Sequence, residues 1–298
     1  MNLKTCIDNK YIYQYLSEIS NPKGIIHICH GMAEHIKRYK WLINKLNKDG
    51  FHVISIDHRG HGNRIKNSLK GYFSDKNGWI HVVEDQINLI NETKNKYPNL
   101  NQYMIAHSMG SWIGLAAVQK NINIKGLILS GSSKPPPFLL KIQKALIKTI
   151  LFFSNKKTVS NFLDDITLGQ YNKYFKPNRT PKDWISSDNL NVNEYVSDPL
   201  CGYKVTNGLW EDLVNGLEIV FNKRKYSKSN RTLPIFIISG SKDPVGENGK
   251  GVIRLHNFLN DIFDNVSIEL VEDARHEVFS EVNKEDNYKS LKNFLKTI

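Results

Sequence analysis

Cysteine is scarce. Three residues in 298, Cys6, Cys29 and Cys201, are odd in number and far apart, which excludes a disulfide framework and fits reduced thiols in a cytoplasmic protein. No Cys-x-x-Cys pair offers a metal site. No run of 18 or more apolar residues is present to span a bilayer, and Met1 to Lys10 lacks the uninterrupted apolar core of a signal peptide, so a soluble chain is expected. Arginine-rich helices and aromatic–basic repeats are missing as well. The net charge of +12 comes from lysines scattered over the whole length, which does not describe a nucleic-acid surface. Such an excess favours anionic lipid surfaces or substrates, and hence peripheral contact with an anionic membrane. The phosphate-loop pattern is also absent, because Lys250 is followed by Gly251 and no suitable glycine lies upstream; no nucleotide site is expected.

What the chain does hold is enough apolar matter for a core: 40% hydrophobic residues, with 13 Phe and 13 Tyr. Its length suits one large α/β domain with an insertion, or two ordinary domains. Apolar, partly β-branched runs at 24–29, 51–56, 101–106 and 124–129 read as buried strands, with helical stretches at 38–49, 79–96 and 112–120 between them. A partly alternating stretch at 11–19 reads as another strand, forming a hairpin with 24–29 around Asn21-Pro22-Lys23-Gly24. The alternation then breaks. Residues 133–231 show no β-branched core strand, open on Pro135-Pro136-Pro137 and read as helical, before strands at 233–239 and 265–271 and helices at 249–259 and 284–296 restore the pattern. The predicted fold class is α/β, a mainly parallel sheet flanked by helices, with core segments 1–132 and 232–298 split by a helical cap at 133–231.

At the centre stands Ala106-His107-Ser108-Met109-Gly110, at a strand-to-helix junction. A nucleophile elbow needs small residues two before and two after its serine, because the strained turn brings the flanking backbones together. Ala106 and Gly110 meet that need, although glycine is the usual first residue, and Ser108 is the only serine with glycine two positions later. An ordinary helix N-cap serine is the competing explanation of the pentapeptide alone.

A serine attacks only when a base takes its proton, so an elbow predicts a later histidine oriented by a carboxylate, in the order serine, acid, histidine. His276 follows the last strand, and Asp243 follows the strand before it. Asp273 is the rival acid; lying three residues before the histidine, it is poorly placed to face the second imidazole nitrogen. Asp243-Pro244 also suits a plain turn. Charge developing on the carbonyl oxygen calls for two backbone N–H groups, expected from Met109 and from Met32, where Gly31 lets the chain approach.

His30-Gly31-Met32-Ala33-Glu34-His35, Asp57-His58-Arg59-Gly60-His61-Gly62, His107-Ser108-Met109-Gly110, Gly240-Ser241-Lys242-Asp243 and Arg275-His276-Glu277 together resemble the monoacylglycerol lipase and lysophospholipase branch of the α/β-hydrolase superfamily, also called the serine aminopeptidase family. Asp198-Pro199-Leu200-Cys201-Gly202 is similar to a bacterial subgroup labelled lysophospholipase. The resemblance implies Ser108 as nucleophile, Asp243 as acid, His276 as base, Met32 and Met109 as oxyanion donors, and no cofactor or metal. It also gives His58 and His61, beside Asp57, a place in a hydrolase loop rather than as metal ligands. The cap carries the weakest likeness, and substrate choice does not transfer through it.

The function expected is a serine carboxylic-ester hydrolase acting on monoacyl lipids through an acyl-enzyme. An acyltransferase or peptidase using the same serine, and a non-catalytic binding protein on the same fold, remain open alternatives. In the cap, Lys141, Lys144 and Lys148 recur at helical spacing among apolar residues. That suits a helix packed on the core with a solvated lysine face, or one that rests on a membrane.

Overall fold

The computed structural model describes residues 3–5, 11–65 and 69–298. Cys6 and most of the first ten residues, on which two expectations above rest, lie outside the described residues.

Among the described residues eight strands make one sheet: β1 (Leu3–Thr5), β2 (Tyr11–Tyr15), β3 (Gly24–Cys29), β4 (Phe51–Ile56), β5 (Gln102–His107), β6 (Leu127–Ser130), β7 (Ile235–Gly240) and β8 (Val266–Val271), in the spatial order β1-β2-β4-β3-β5-β6-β7-β8. Strands β4, β3, β5, β6, β7 and β8 run parallel, while β1 and β2 form an antiparallel margin. The expected hairpin between the second strand and the third does not form, because β2 pairs with β4 instead. The reason is burial. All six residues of β3 are inaccessible, so that strand needs covering on both faces and a partner on both edges, which the position between β4 and β5 supplies.

Side chains alternate across the sheet, and both faces are dry. Met104 and Ala106 of β5, with Leu127 and Leu129 of β6, enter one apolar cluster; Ile105 and Ile128 enter the other. The second cluster is closed by α1 (Lys40–Lys48) and by the C-terminal helix. On the opposite face lie α2 (Gly78–Lys96) and α3 (Met109–Val118), whose ten residues are all buried, as suits a helix apolar on every side. Each fully buried Ile or Leu contributes about 1.5–3 kcal/mol of transfer free energy.

Between β6 and β7 the chain is helical, as its composition predicts: α4 (Pro137–Phe153), α5 (Asn161–Ile166), α6 (Leu168–Tyr171), α7 (Asn189–Ser197) and α8 (Asn207–Val220). Pro137 opens α4, and the side chains of Ser160, Asp188 and Thr206 cap α5, α7 and α8. Helix α8 is not a detached lid. Leu209, Leu213 and Leu217 are part of the same cluster as α2 and α3, and Asp212 receives the first amides of α2. Helices α9 (Lys250–Asn260) and α10 (Lys284–Lys296) complete the sheet's cover.

The register brings the site together. Cys29 stands opposite Ala106, His107 opposite Ser130, and Gly240 opposite Val271. The segments leaving β3, β5, β7 and β8 therefore emerge at one edge of the sheet, which is where open parallel sheets hold their ligands.

Candidate active site

Ser108 sits between β5 and α3 at φ 53° and ψ −124°, a conformation that side chains other than glycine rarely adopt. Its neighbours hold it there. The Ser108 amide donates to the Ser130 carbonyl at 2.9 Å, and its own carbonyl accepts from the Ser111 amide and hydroxyl. Gly110 is obligatory, since a Cβ there would lie 2.1 Å from the Cys29 carbonyl oxygen. The methyl of Ala106 is accommodated from the other side: a Cβ on Gly114 would come within 3.2 Å of it, so the glycine at 114 leaves the room that the methyl fills.

The histidine and acid meet as the order of the motifs predicts. His276 Nδ1 lies 2.9 Å from Asp243 Oδ2, and both side chains are buried. The carboxylate can only accept from a ring N–H, so Nδ1 carries the proton and Nε2 is left as the ring's acceptor nitrogen. The other oxygen, Oδ1, accepts the Val245 amide at 2.9 Å, so one carboxylate both closes the Asp243-Pro244 turn and binds the imidazole. Burial works against an imidazolium here, but Asp243, then Glu277 and Glu34, outweigh it and leave the His276 pKa raised above the ordinary imidazole value. Asp273 is elsewhere, 72% exposed and paired with Lys242 at 2.7 Å.

Ser108, His276, Met32 and Met109 all border one cavity of about 310 Å³. Met109 is the first residue of α3, so its amide has no acceptor within the helix and points out at the positive end of the helix dipole. Leu146 and Ile147 of α4, Leu213 and Leu217 of α8, and Trp112 make one part of the wall apolar; Glu34 and Glu277 make another part polar.

The sequence assigned no role to several residues that complete the site. His107 stacks at a tilt on His276, ring centroids 4.7 Å apart, and Trp184 lies 5.0 Å from the same ring. Glu34, Arg38 and Glu277 form a buried ionic cluster. His107, Glu34 and Glu277 lie within quoted motifs and Arg38 shortly after one, whereas Trp184 lies in the insertion outside all of them, and nothing in their spacing shows that they meet. His58 and His61 lie inside the loop support, stacked with His30 and wholly buried, and burial drives the pKa of His30 and His61 down to about 3. The His35–Asp198 pair, with Cys201 beside it, is a hydrogen-bonded contact at 2.9 Å between the loop after β3 and the insertion.

A family model, Hydrolase_4, described as serine aminopeptidase S33, matches residues 20–283. The chain belongs to this family of α/β-hydrolases. Within it the relatives place the chain in the monoacylglycerol lipase and lysophospholipase-like branch. It is 28% identical over 241 residues to the monoglyceride lipase of Rattus norvegicus, covering 79% of this chain and 71% of the relative. It is 25% identical over 280 residues to the monoglyceride lipase homolog of Monkeypox virus, covering 93% and 91%. Among solved structures, a thermostable carboxyl esterase from Bacillus coagulans, in complex with glycerol, superposes with a TM-score of 0.89 at 28% identity, over 100% of this chain and 97% of that one. The α/β-hydrolase fold read from the sequence is therefore the fold of the chain.

Proposed function

We propose that this chain hydrolyses monoacyl lipids, monoacylglycerols or lysophospholipids, through an acyl-enzyme on Ser108. The chain is a carboxylic ester hydrolase, and the observation that carries the finer reading is the cavity itself. Ser108 and His276 stand on a wall shared by the apolar side chains of α4 and α8 and by the polar Glu34 and Glu277, which matches a substrate with one acyl chain and one small polar alcohol. His276 Nε2 takes the Ser108 hydroxyl proton as Oγ bonds to the ester carbon, and the amides of Met32 and Met109 receive the oxyanion. The same imidazole returns the proton to the leaving alcohol, then draws one from water, and the second tetrahedral intermediate collapses to the free acid and Ser108. Asp243 holds the ring throughout.

On this reading the insertion at 133–231 is the cap that measures the acyl chain. The experiment is a hydrolysis series on monoacylglycerols and lysophosphatidylcholines from short to long chains. Rates are expected to rise with chain length until the cavity is filled, and rates that peak at acetyl esters would remove the lipid reading.

The outer face of α4 supports contact with an anionic membrane. Of the three lysines read as sharing one face, Lys144 pairs with Glu218 of α8, and Lys141 and Lys148 are exposed on a helix that also exposes Phe138, Ile142, Phe152 and Phe153. Phe152 and Phe153 are 83% and 82% exposed, and lysines interleaved with exposed aromatics suit an interfacial helix. No helix among the described residues is long and apolar enough to cross a membrane. The double variant F152D/F153D is expected to lose at least about tenfold in partition to phosphatidylglycerol vesicles. Its rate on a water-soluble ester should not change; equal partition of both proteins would dismiss the contact.

A further inference from the structure

Resting on the reading that the Met32 amide receives the oxyanion, we propose that Glu34 is a positioning residue that aims this amide at Ser108, acting as a hydrogen-bond acceptor and not as a charge. The Met32 N–H belongs to the peptide whose carbonyl is that of Gly31, and in a trans peptide the two groups point in opposite directions. The Gly31 carbonyl lies 2.8 Å from His30 Nδ1. His30 Nε2 accepts the His58 amide at 3.0 Å, so the ring proton is on Nδ1 and is donated to that carbonyl. On its other side, Gly31 donates its own N–H to Glu34 Oε1 in a short hydrogen bond. The same oxygen accepts the Tyr39 hydroxyl at 2.8 Å, which fixes the carboxyl group in turn. Residue 31 is therefore held at both its donor and its acceptor. That compensates for a glycine with no side chain to restrain it, and the Met32 amide is left facing away from His30.

Glycine is needed there. A Cβ on Gly31 would stand 2.7 Å from Glu34 Oε1 and 3.2 Å from Ser108 Cβ, so this backbone passes directly between the carboxyl group and the nucleophile.

The charge of Glu34 is the weaker part of its environment. Its Oε2 is 3.6 Å from Arg38 Nε, while the guanidinium binds Glu277 through Nη2 at 2.6 Å and Asn191 at 3.0 Å. One cation thus faces two buried carboxyl groups. Burial first, and then Glu277, push the Glu34 carboxyl up to about 7, so the neutral acid is already accessible, and it still offers an acceptor oxygen to Gly31. An alternative is that Glu34 only balances Arg38.

Two substitutions separate these roles. Glu34→Gln keeps the acceptor and removes the charge; Glu34→Asp keeps the charge and withdraws the oxygens by one carbon–carbon bond, about 1.5 Å. With a soluble p-nitrophenyl ester, E34Q is expected to keep kcat within about threefold, and E34D to lose about 30–100-fold in kcat with KM changed by less than about threefold. Glu34→Met, similar in length and without a strong acceptor, takes the place of E34D should that variant not fold, with the same loss expected. The reverse order, Asp active and Gln impaired, would assign the residue to charge balance and overturn the proposal. So would wild-type kcat in both, whatever the melting temperatures. Ser108→Ala is assayed alongside: full activity there removes the nucleophile reading and this inference with it, whereas an inactive Ser108→Ala beside an unimpaired E34D or E34M removes the inference alone.

Discussion

Ser108→Ala is expected to lower kcat on monoacyl esters by about 10⁴–10⁶-fold without lowering the melting temperature. The magnitude follows from what disappears: with no oxygen to attack, covalent catalysis ends, and only binding and the oxyanion amides remain to act on a water molecule. The fold should be indifferent to the change. Among the described residues the Ser108 side chain makes no hydrogen bond, and it caps nothing in α3. An N-cap serine would behave in the opposite way, since its replacement costs about 1 kcal/mol of stability and little activity. Measured together, kcat and melting temperature decide between the elbow and the cap. The strained backbone at φ 53° remains in the variant, because it is set by Gly110 and by the Ser130 and Ser111 contacts.

Asp243→Asn is expected to lower kcat by about 10³–10⁴-fold and to change its pH dependence. The amide can present an N–H to His276 Nδ1, which turns the ring to the tautomer with the proton on Nε2 and takes away the base. The wild-type profile has a definite sign. His276 must be neutral to accept the serine proton, and its pKa is raised by Asp243 in spite of burial, so activity falls as pH drops through a value above the ordinary 6.5. Without the carboxylate the balance reverses, burial dominates, and the acid limb moves to lower pH. A kcat/KM profile of the residual activity checks both statements; an unmoved limb would mean that another group sets it.

These residues were legible in the sequence because each sits where a strand ends, and parallel strands in one sheet deliver their ends to the same edge. Asp243 needed only to follow β7, and His276 only to follow β8. The meeting of these side chains was thus readable before the strand order, which the sequence did not reveal: the alternating 11–19 stretch carried no sign that it would pair with β4 and pass over its neighbour in the chain. The supporting network was hidden for a related reason. Arg38 and Glu277 meet across 239 positions, and Asp212 reaches the start of α2 from the far side of the insertion. Such contacts follow from packing, and no local period announces them. Ala106 is an intermediate case, a departure from the usual glycine whose compensation at Gly114 could be seen only once α3 lay on β5.

The most direct test of the account is to trap the intermediate. Wild-type chain and Ser108→Ala are each mixed with a p-nitrophenyl ester of a long fatty acid, quenched in acid within the first turnover, and weighed intact before peptide mapping. The account expects one acyl adduct per wild-type chain, on the peptide that carries Ser108, and none on the variant. Hydrolysis without an adduct, or an adduct that persists when Ser108 is alanine, would contradict it.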